Sequence, residues 1–457
     1  MDHQPPKWAR RLLLFFLRDE FAEEVLGDLD EKFYVHLDRH SPGRARRNYW
    51  VQVLSYFRPF AIRDFFFLSI FPVMIQHNFR IGLRVILKNK LFSTINIGGL
   101  ALGMTVAVLI GLWIHDELTF NQNHEKYDRI VQVLRKDSHE GIINVNSSLV
   151  GMLGEQLRQD YGHLYKRVAM TFYRPYDQLI QVGDQAFEEM GFYFEPDIGE
   201  MLTLDMVSGS RDGLNDPKSI LISESLARKS FGDINPVGEL VKFNVSNPLK
   251  VAGVYRDLPN NSTFHGASFF VSMHRIYNES NPYVWDNYNM RVYAELKPGI
   301  RLEEAALAIK DLMLPFLGED EGPKELLLLP MKDWHLRDYF ENGLPAISKR
   351  MEFIYLYGIL GILVLLIACI NFMNLNTARY QTRGKEVGVR KTIGSIRSQL
   401  VGLFLTEAVL YTAAALILSL VAVSLAMPWF NEIAAKELSM PWTNGWFWLA
   451  CLGFVLM

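Results

Sequence analysis

Few residues in this chain are typed and spaced for chemistry. The stretch Gly98–Gly103 (GGLALG) has the closely spaced glycines that let backbone N–H groups approach a phosphate. No strand precedes it, and it lies inside an apolar run, so a nucleotide role is set aside. No GxxxxGK[ST] occurs, which excludes ATP binding by that route. HExxH, GxSxG and a Cys/His nucleophile pairing are absent too. His115, His124, His163, His265 and His335 are scattered and read as surface or structural residues. The two cysteines, Cys369 and Cys451, both fall in apolar runs, which leaves no disulfide framework and no zinc-type cluster. The expectation is a chain with no catalytic residue, no cofactor and no metal. Net charge is near neutral, so nothing points to nucleic acid.

What the sequence does carry is a basic elbow. Residues 379–407 hold six basic side chains (Arg379, Arg383, Lys385, Arg390, Lys391, Arg397) and two acidic ones. They separate two runs without charge, Phe353–Ala378 and Ala408–Phe430. Each run is long enough to cross a hydrocarbon core as a helix. By the positive-inside rule the elbow faces the cytoplasm. Lys385–Ile393 is expected to form a short helix, with Val389 and Ile393 one turn apart. Gly384 suits an interruption, Gly394 the left-handed residue after a helix, and Ser395 the N-cap of the next. The plain alternative is an anchoring loop whose Lys and Arg side chains snorkel at the lipid interface.

Three spans follow from the apolar runs: residues 93–114, 353–378 and 408–430. Residues 443–457 begin a fourth run, rich in Trp at its edge as an interface belt would be. In span one, Gly99 and Gly103 form a small-xxx-small pair for close helix packing. Residues 76–92 carry Arg80, Arg84, Lys88 and Lys90 and no acid, with Phe79, Leu83, Ile86 and Leu87 as an apolar face. This reads as an amphipathic helix on the inner leaflet. The two inner flanks, 76–92 and 379–407, then hold ten basic and two acidic residues.

Residues 1–75 read as a small helical cytoplasmic domain, in which Phe21, Val25, Leu29, Phe33 and Leu37 recur every four residues. The apolar run Phe65–Ile75 contains Pro72 and is too short to span. Asp116 and Glu117 follow span one, and residues 115–352 are large enough for a core of their own on the outer side. Ile130–Leu134 and Leu249–Tyr255 read as strands, Leu302–Leu312 as a helix after the Pro298-Gly299 turn, and Ser223–Phe231 as a helix capped by Ser223 and stopped by Gly232. The fold class is a multi-pass α-helical membrane protein with a large mixed α/β extracytoplasmic domain and a small helical cytoplasmic N-terminal domain.

Several stretches carry a family resemblance. KEVGVRKTIGSIRSQLVGLFLTEA resembles the cytoplasmic coupling segment of FtsX/MacB-type ABC transporter permeases, and INFMNLNTARYQTRGKEVG resembles the end of that family's second span. RVILKNKLFSTINIGGLALGM is similar to its span-one entrance. DELTFNQNHEKYDRIVQV, ILISESLARKSFGDINPVGELV and VAGVYRDLPNNSTFHGASF resemble pieces of its extracytoplasmic domain, in the expected order. PPKWARRLLLFFLRDEFAEEVLGDLDEKF resembles a prefix domain that precedes some of its permeases.

The resemblance implies a permease subunit in the inner (plasma) membrane, with a separate ABC ATPase and the lipid bilayer as partners, and a dimer of permease chains or halves. It implies movement of the outer domain for efflux or envelope work on peptides, lipoproteins or similar substrates. Lys385, Glu386, Val389, Arg390, Lys391, Ile393 and Gly394 would form the docking element for the ATPase. Related permeases continue past the point where this sequence stops, many with a second set of spans, so a longer natural chain is expected. The other reading is a membrane receptor with an outer sensor domain. A third span, and a cytoplasmic segment of under thirty residues after span two, weigh against it.

Overall fold

The computed structural model describes residues 5–16, 19–39, 42–56, 78–139, 141–244, 247–277, 285, 287–316, 324–382, 384–394 and 397–456. The apolar run Phe65–Ile75 and the candidate cap Ser395 lie outside them. Backbone contacts divide the chain into one unit of residues 1–101, 369–418 and 444–457, and a second of residues 102–368 and 419–443.

In the first unit, α1 (Lys7–Phe16), α2 (Asp19–Arg39) and α3 (Pro42–Ser55) form a small bundle. Pro42 opens α3, where its missing N–H costs nothing. Ala9 and Leu13 of α1, Leu29 and Phe33 of α2, and Ala45, Tyr49 and Val53 of α3 make the core. Each set recurs at four-residue spacing, which places it on one helix face. Tyr49 donates to Asp30 at 2.9 Å. Burial first, and then that bond, push the Tyr49 phenol well above its ordinary pKa.

Residues 78–88 form α4, and α5 (Lys90–Leu118) follows after a bend at Asn89. The break therefore falls three residues before the expected boundary at 92. Asn89 Nδ2 donates to the Val85 carbonyl at 3.0 Å, satisfying a helix-end acceptor. Phe79, Leu83 and Leu87 of α4 are exposed, beside exposed Arg80, Arg84 and Lys88.

In the second unit, residues between α5 and the next long helix build a mixed α/β domain. Its strands are β1 (Ile130–His139), β2 (Ile142–Asn146), β3 (Tyr165–Phe172), β4 (Tyr176–Val182), β5 (Gln185–Phe194), β6 (Met206–Gly209), β7 (Ser219–Ser223), β8 (Leu240–Phe243), β9 (Asn247–Tyr255), β10 (Phe269–Ser272), β11 (Met290–Leu296) and β12 (Lys324–Pro330). The short hairpin β13 (Phe340–Glu341) and β14 (Leu344–Pro345) follows. The helices are α6 (Met152–Asp160), α7 (Ile198–Met201), α8 (Glu224–Phe231), α9 (His274–Tyr277) and α10 (Leu302–Ile309).

The main sheet runs β10-β7-β9-β8-β4-β5-β3-β11-β1-β12. Strand β10 also pairs with β5, in parallel, so the first six strands close into a ring. On β1, Val131 and Val133 join one apolar core while Ile130 and Leu134 join another. On β11, Val292 and Ala294 face the first and Tyr293 the second. The two-residue alternation of strands thus buries this part of the sheet on both faces. Ser223 accepts from the Leu226 N–H at 3.2 Å and caps α8, and Gly232 (φ +62°) ends it.

The chain ends with α11 (Lys349–Thr382), α12 (Gly384–Thr392), α13 (Arg397–Ala434) and α14 (Gly445–Leu456). Among the described residues, α5, α11 and α13 are long and apolar enough to cross a membrane, and α14 is shorter. Each long helix extends past the apolar run that marks it in sequence. The extra turns bring in the charged residues that the apolar runs exclude, among them Lys90, Asp116 and Glu117 on α5, Arg379 on α11 and Glu407 on α13.

Candidate functional site

The candidate site is the elbow between α11 and α13, within the first unit. Apolar α11 carries on as helix through Arg379 to Thr382. Nine residues, Gly384–Thr392, then form α12. Its end is closed by Thr392 Oγ1, which donates to the Val389 carbonyl at 2.8 Å, and by the Gly394 N–H, which donates to Lys391 O at 3.1 Å. Gly394 has φ +98°, a conformation that side chains with a Cβ rarely adopt. The helix therefore has a defined end, and α13 starts afresh at Arg397.

Lys385 and Glu386 lie in the first turn of α12. Val389 on α12 and Ile393, one residue past its end rather than inside it as expected, are 58% and 79% exposed and four residues apart. Lys391 and Gly394 are exposed as well. Arg390 differs from these. It is half-buried and lines a narrow cleft with Ile81 and Val85 of α4 and Leu403, Phe404 and Glu407 of α13.

Behind α12 sits a cluster that the sequence reading did not single out. Arg379 Nη1 donates to Glu407 Oε1 and to Tyr411 Oη, both at 2.8 Å. The two charged side chains are 9% and 4% exposed. The Arg379 guanidinium also lies 4.8 Å from the centre of the Phe92 ring. Ser93 Oγ is 3.0 Å from Tyr411 Oη, within hydrogen-bond distance. Thus α5 supplies Phe92 and Ser93, α11 supplies Arg379, and α13 supplies Glu407 and Tyr411. The signal in the sequence was slight: Arg379 and Glu407 are the charges that border the two apolar runs. Nothing local says that they meet.

The glycines of α5 pack on α11. A Cβ on Gly99 would lie 3.5 Å from Asn371 Nδ2. One on Gly103 would lie 2.5 Å from the Ala368 Cβ, closer than atoms tolerate. Asn96 and Asn376 face each other across the same helix pair at 3.4 Å.

Long apolar helices that carry a large α/β domain define a membrane protein with a large extracytoplasmic domain. Two family models match this chain: the MacB-like periplasmic core domain over residues 93–312 and the FtsX-like permease C-terminal domain over residues 358–457. The chain thus carries the two domains that mark ABC transporter permeases of the FtsX/MacB type.

Among relatives, an uncharacterized ABC transporter permease of Bacillus subtilis, YknZ, is 23% identical over 46% of this chain and 47% of its own length. The macrolide export ATP-binding/permease protein MacB of Neisseria meningitidis serogroup A is 25% identical over 51% of this chain and 32% of its own length. The match thus spans about half of the first relative and a third of the second. Among solved structures, a domain of a putative permease protein from Porphyromonas gingivalis is 21% identical, with a TM-score of 0.40. It covers 50% of this chain and 98% of that domain.

Proposed function

We propose that this chain is the membrane subunit that couples ATP hydrolysis by a partner ABC ATPase to movement of its extracytoplasmic domain. The work done is efflux or envelope work on peptides, lipoproteins or similar substrates, and the macrolide export named for the Neisseria relative belongs to the same range. The observation that carries this reading is α12, a short helix with a fixed end and exposed Val389, Lys391 and Ile393, held against a buried ion pair that joins three apolar helices.

In this reading α12 docks on the ATPase from the cytoplasmic side. Val389 and Ile393 supply apolar contact, and Lys385, Glu386, Arg390 and Lys391 polar contact. Gly394 sets the helix end. Movement of α12 passes to α11 and α13 through the chain and through Arg379–Glu407. The N-terminal bundle is cytoplasmic, the chain crosses the inner membrane several times, and two permease chains or halves pair over the ATPase.

Co-purification with the ATPase tests the docking role. Replacing both Arg390 and Lys391 by Glu turns attraction into repulsion at the contact. It should weaken capture of the ATPase while the extracytoplasmic domain unfolds as before. Val389→Asp with Ile393→Asp should do the same by removing the apolar contact. Undiminished capture by both variants would rule out α12 as the docking element.

A further inference from the structure

At the far end of α5 the second unit contains another ionic cluster, outside the coupling elbow. Lys436 lies just beyond the end of α13 and is the one basic residue of the segment 431–442. Its Nζ donates to Asp116 Oδ2 at 2.7 Å and lies 2.8 Å from Glu117 Oε1. The other Glu117 oxygen accepts from His335 Nε2 at 2.6 Å. The His335 ring stacks on Phe120, with centres 3.7 Å apart and planes 3° from parallel. Glu117 and Lys436 have 6% and 13% of their side chains exposed, so the pair is held away from water. Burial lowers the Lys436 pKa, but the Asp116 and Glu117 carboxylates outweigh it and leave it raised.

The backbone on either side is built to hold these groups. Ala435 has φ +50°, a left-handed conformation that costs an alanine energy. That turn puts Lys436 where its N–H donates to Asn431 O at 3.0 Å. The Asn431 side chain clamps the turn through Leu438, accepting from its N–H at 3.0 Å and donating to its carbonyl at 2.9 Å. Past the end of α5, Asn121 (φ +64°) is fully buried. It accepts from the Thr263 N–H at 2.7 Å, and its own N–H donates to Asn261 O at 2.7 Å. At the head of α11, Ser348 donates to Leu336 O at 2.6 Å and accepts from the Met351 N–H at 3.3 Å. The outer ends of α5 and α11 are therefore tied to the α/β domain by hydrogen bonds to its backbone. The turn after α13 meets this body through Lys436.

We propose that Lys436, seated on Asp116 and Glu117, is the joint through which the outer end of α13 drives the extracytoplasmic domain. The inference rests on the coupling function argued above and adds a positioning residue at the opposite end of α13. Ion pairs suit such a joint, since they can break and re-form between two arrangements where packed apolar surfaces resist sliding.

Paired spin labels on the full chain in nanodiscs test the joint. Cys369 and Cys451 are replaced by Ala, and labels are placed at Leu307→Cys on α10 and Trp429→Cys on α13, both exposed positions. The parental chain and Lys436→Arg, which keeps the charge, should give one narrow distance distribution. Lys436→Met should lose it and give a broad one, while the domain stays folded at the temperature of the measurement. Should Lys436→Met fail to fold, Asp116→Asn weakens the same ion pair and should broaden the distribution. A narrow distribution in the neutral variants, or a broad one in Lys436→Arg, overturns the proposal.

With the partner ATPase bound, ATP should shift the parental distance and leave Lys436→Met unmoved, although the ATPase is still captured. An ATP-driven shift that survives in Lys436→Met also overturns the joint. If no ATPase co-purifies with the parental chain, the coupling function falls, and the measurement on the chain alone still decides whether Lys436 fixes α13 to the domain.

Discussion

Arg379 and Glu407 meet where water is scarce, and that decides what each is worth. Losing one partner of a buried ion pair leaves the other charge uncompensated, at about 3–5 kcal/mol, whereas losing both is often close to neutral. Arg379→Leu should therefore destabilise the helical unit by about that amount, and Arg379→Leu with Glu407→Leu should recover most of it. Denaturant unfolding in detergent, read as a double-mutant cycle with Glu407→Leu as the second single variant, measures both, and a double-variant loss equal to the sum of the two single losses would rule out a coupled pair. A different balance holds at Glu195, whose side chain is 3% exposed. Burial raises its pKa, and Arg158 and the Met170 N–H only partly offset that. The folded state thus keeps a proton that the unfolded chain releases. That contribution to stability is present below the unfolded-state pKa and is lost as pH rises through the folded one. Above about pH 4, where ordinary glutamates ionise, Glu195→Gln should lose less thermal stability with rising pH than the parent. Parallel melting curves across pH for the two proteins would refute this.

For the elements, the elbow depends on where α12 stops. Gly394→Val forces a β-branched residue into φ +98°, at a cost of about 1–3 kcal/mol. Amide exchange in Gly384–Thr392 should quicken, while exchange in the α/β domain stays as it was. Features of this kind were legible in the sequence because they are local. Gly394 announces a left-handed turn by its type, and Ser223 announces a cap by standing before a helical pattern. The end of α4 was read four residues late because Asn89 was not recognised as a helix stop, although its side chain reaches back to Val85. Pairings between distant residues left no trace in residue order. Arg379 and Glu407 are separated by the whole of α12, and the closure of the sheet by β10 on β5 joins strands that any linear reading keeps apart. Arg390 shows the same limit from another side. Its charge marks it as a surface residue, while the meeting of α4 and α13 half-buries it.

At the scale of the molecule the charges assign a side to each part. Residues 76–92 and 379–407 hold ten basic and two acidic residues, while Asp116 and Glu117 mark the other end of α5. Lys349 and Arg350, at the head of α11, run against this pattern. One of them has a partner. Arg350 lies 3.3 Å from Asp338 at the surface and donates to His335 O at 3.2 Å, so a carboxylate partly offsets its charge. The rule counts short flanks and is weak for long translocated domains, so it is the two inner flanks that set the orientation. On that basis we propose that α12 is on the cytoplasmic side, opposite the extracytoplasmic domain. Single cysteines at Lys391, on α12, and Leu307, on α10, are both exposed and report the two faces. With Cys369 and Cys451 replaced, a membrane-impermeant maleimide added to right-side-out vesicles should label Leu307→Cys at once. It should label Lys391→Cys only after the vesicles are opened. Immediate labelling of Lys391→Cys in sealed vesicles would place the elbow outside, beyond reach of a cytoplasmic ATPase, and the coupling function would fail with it.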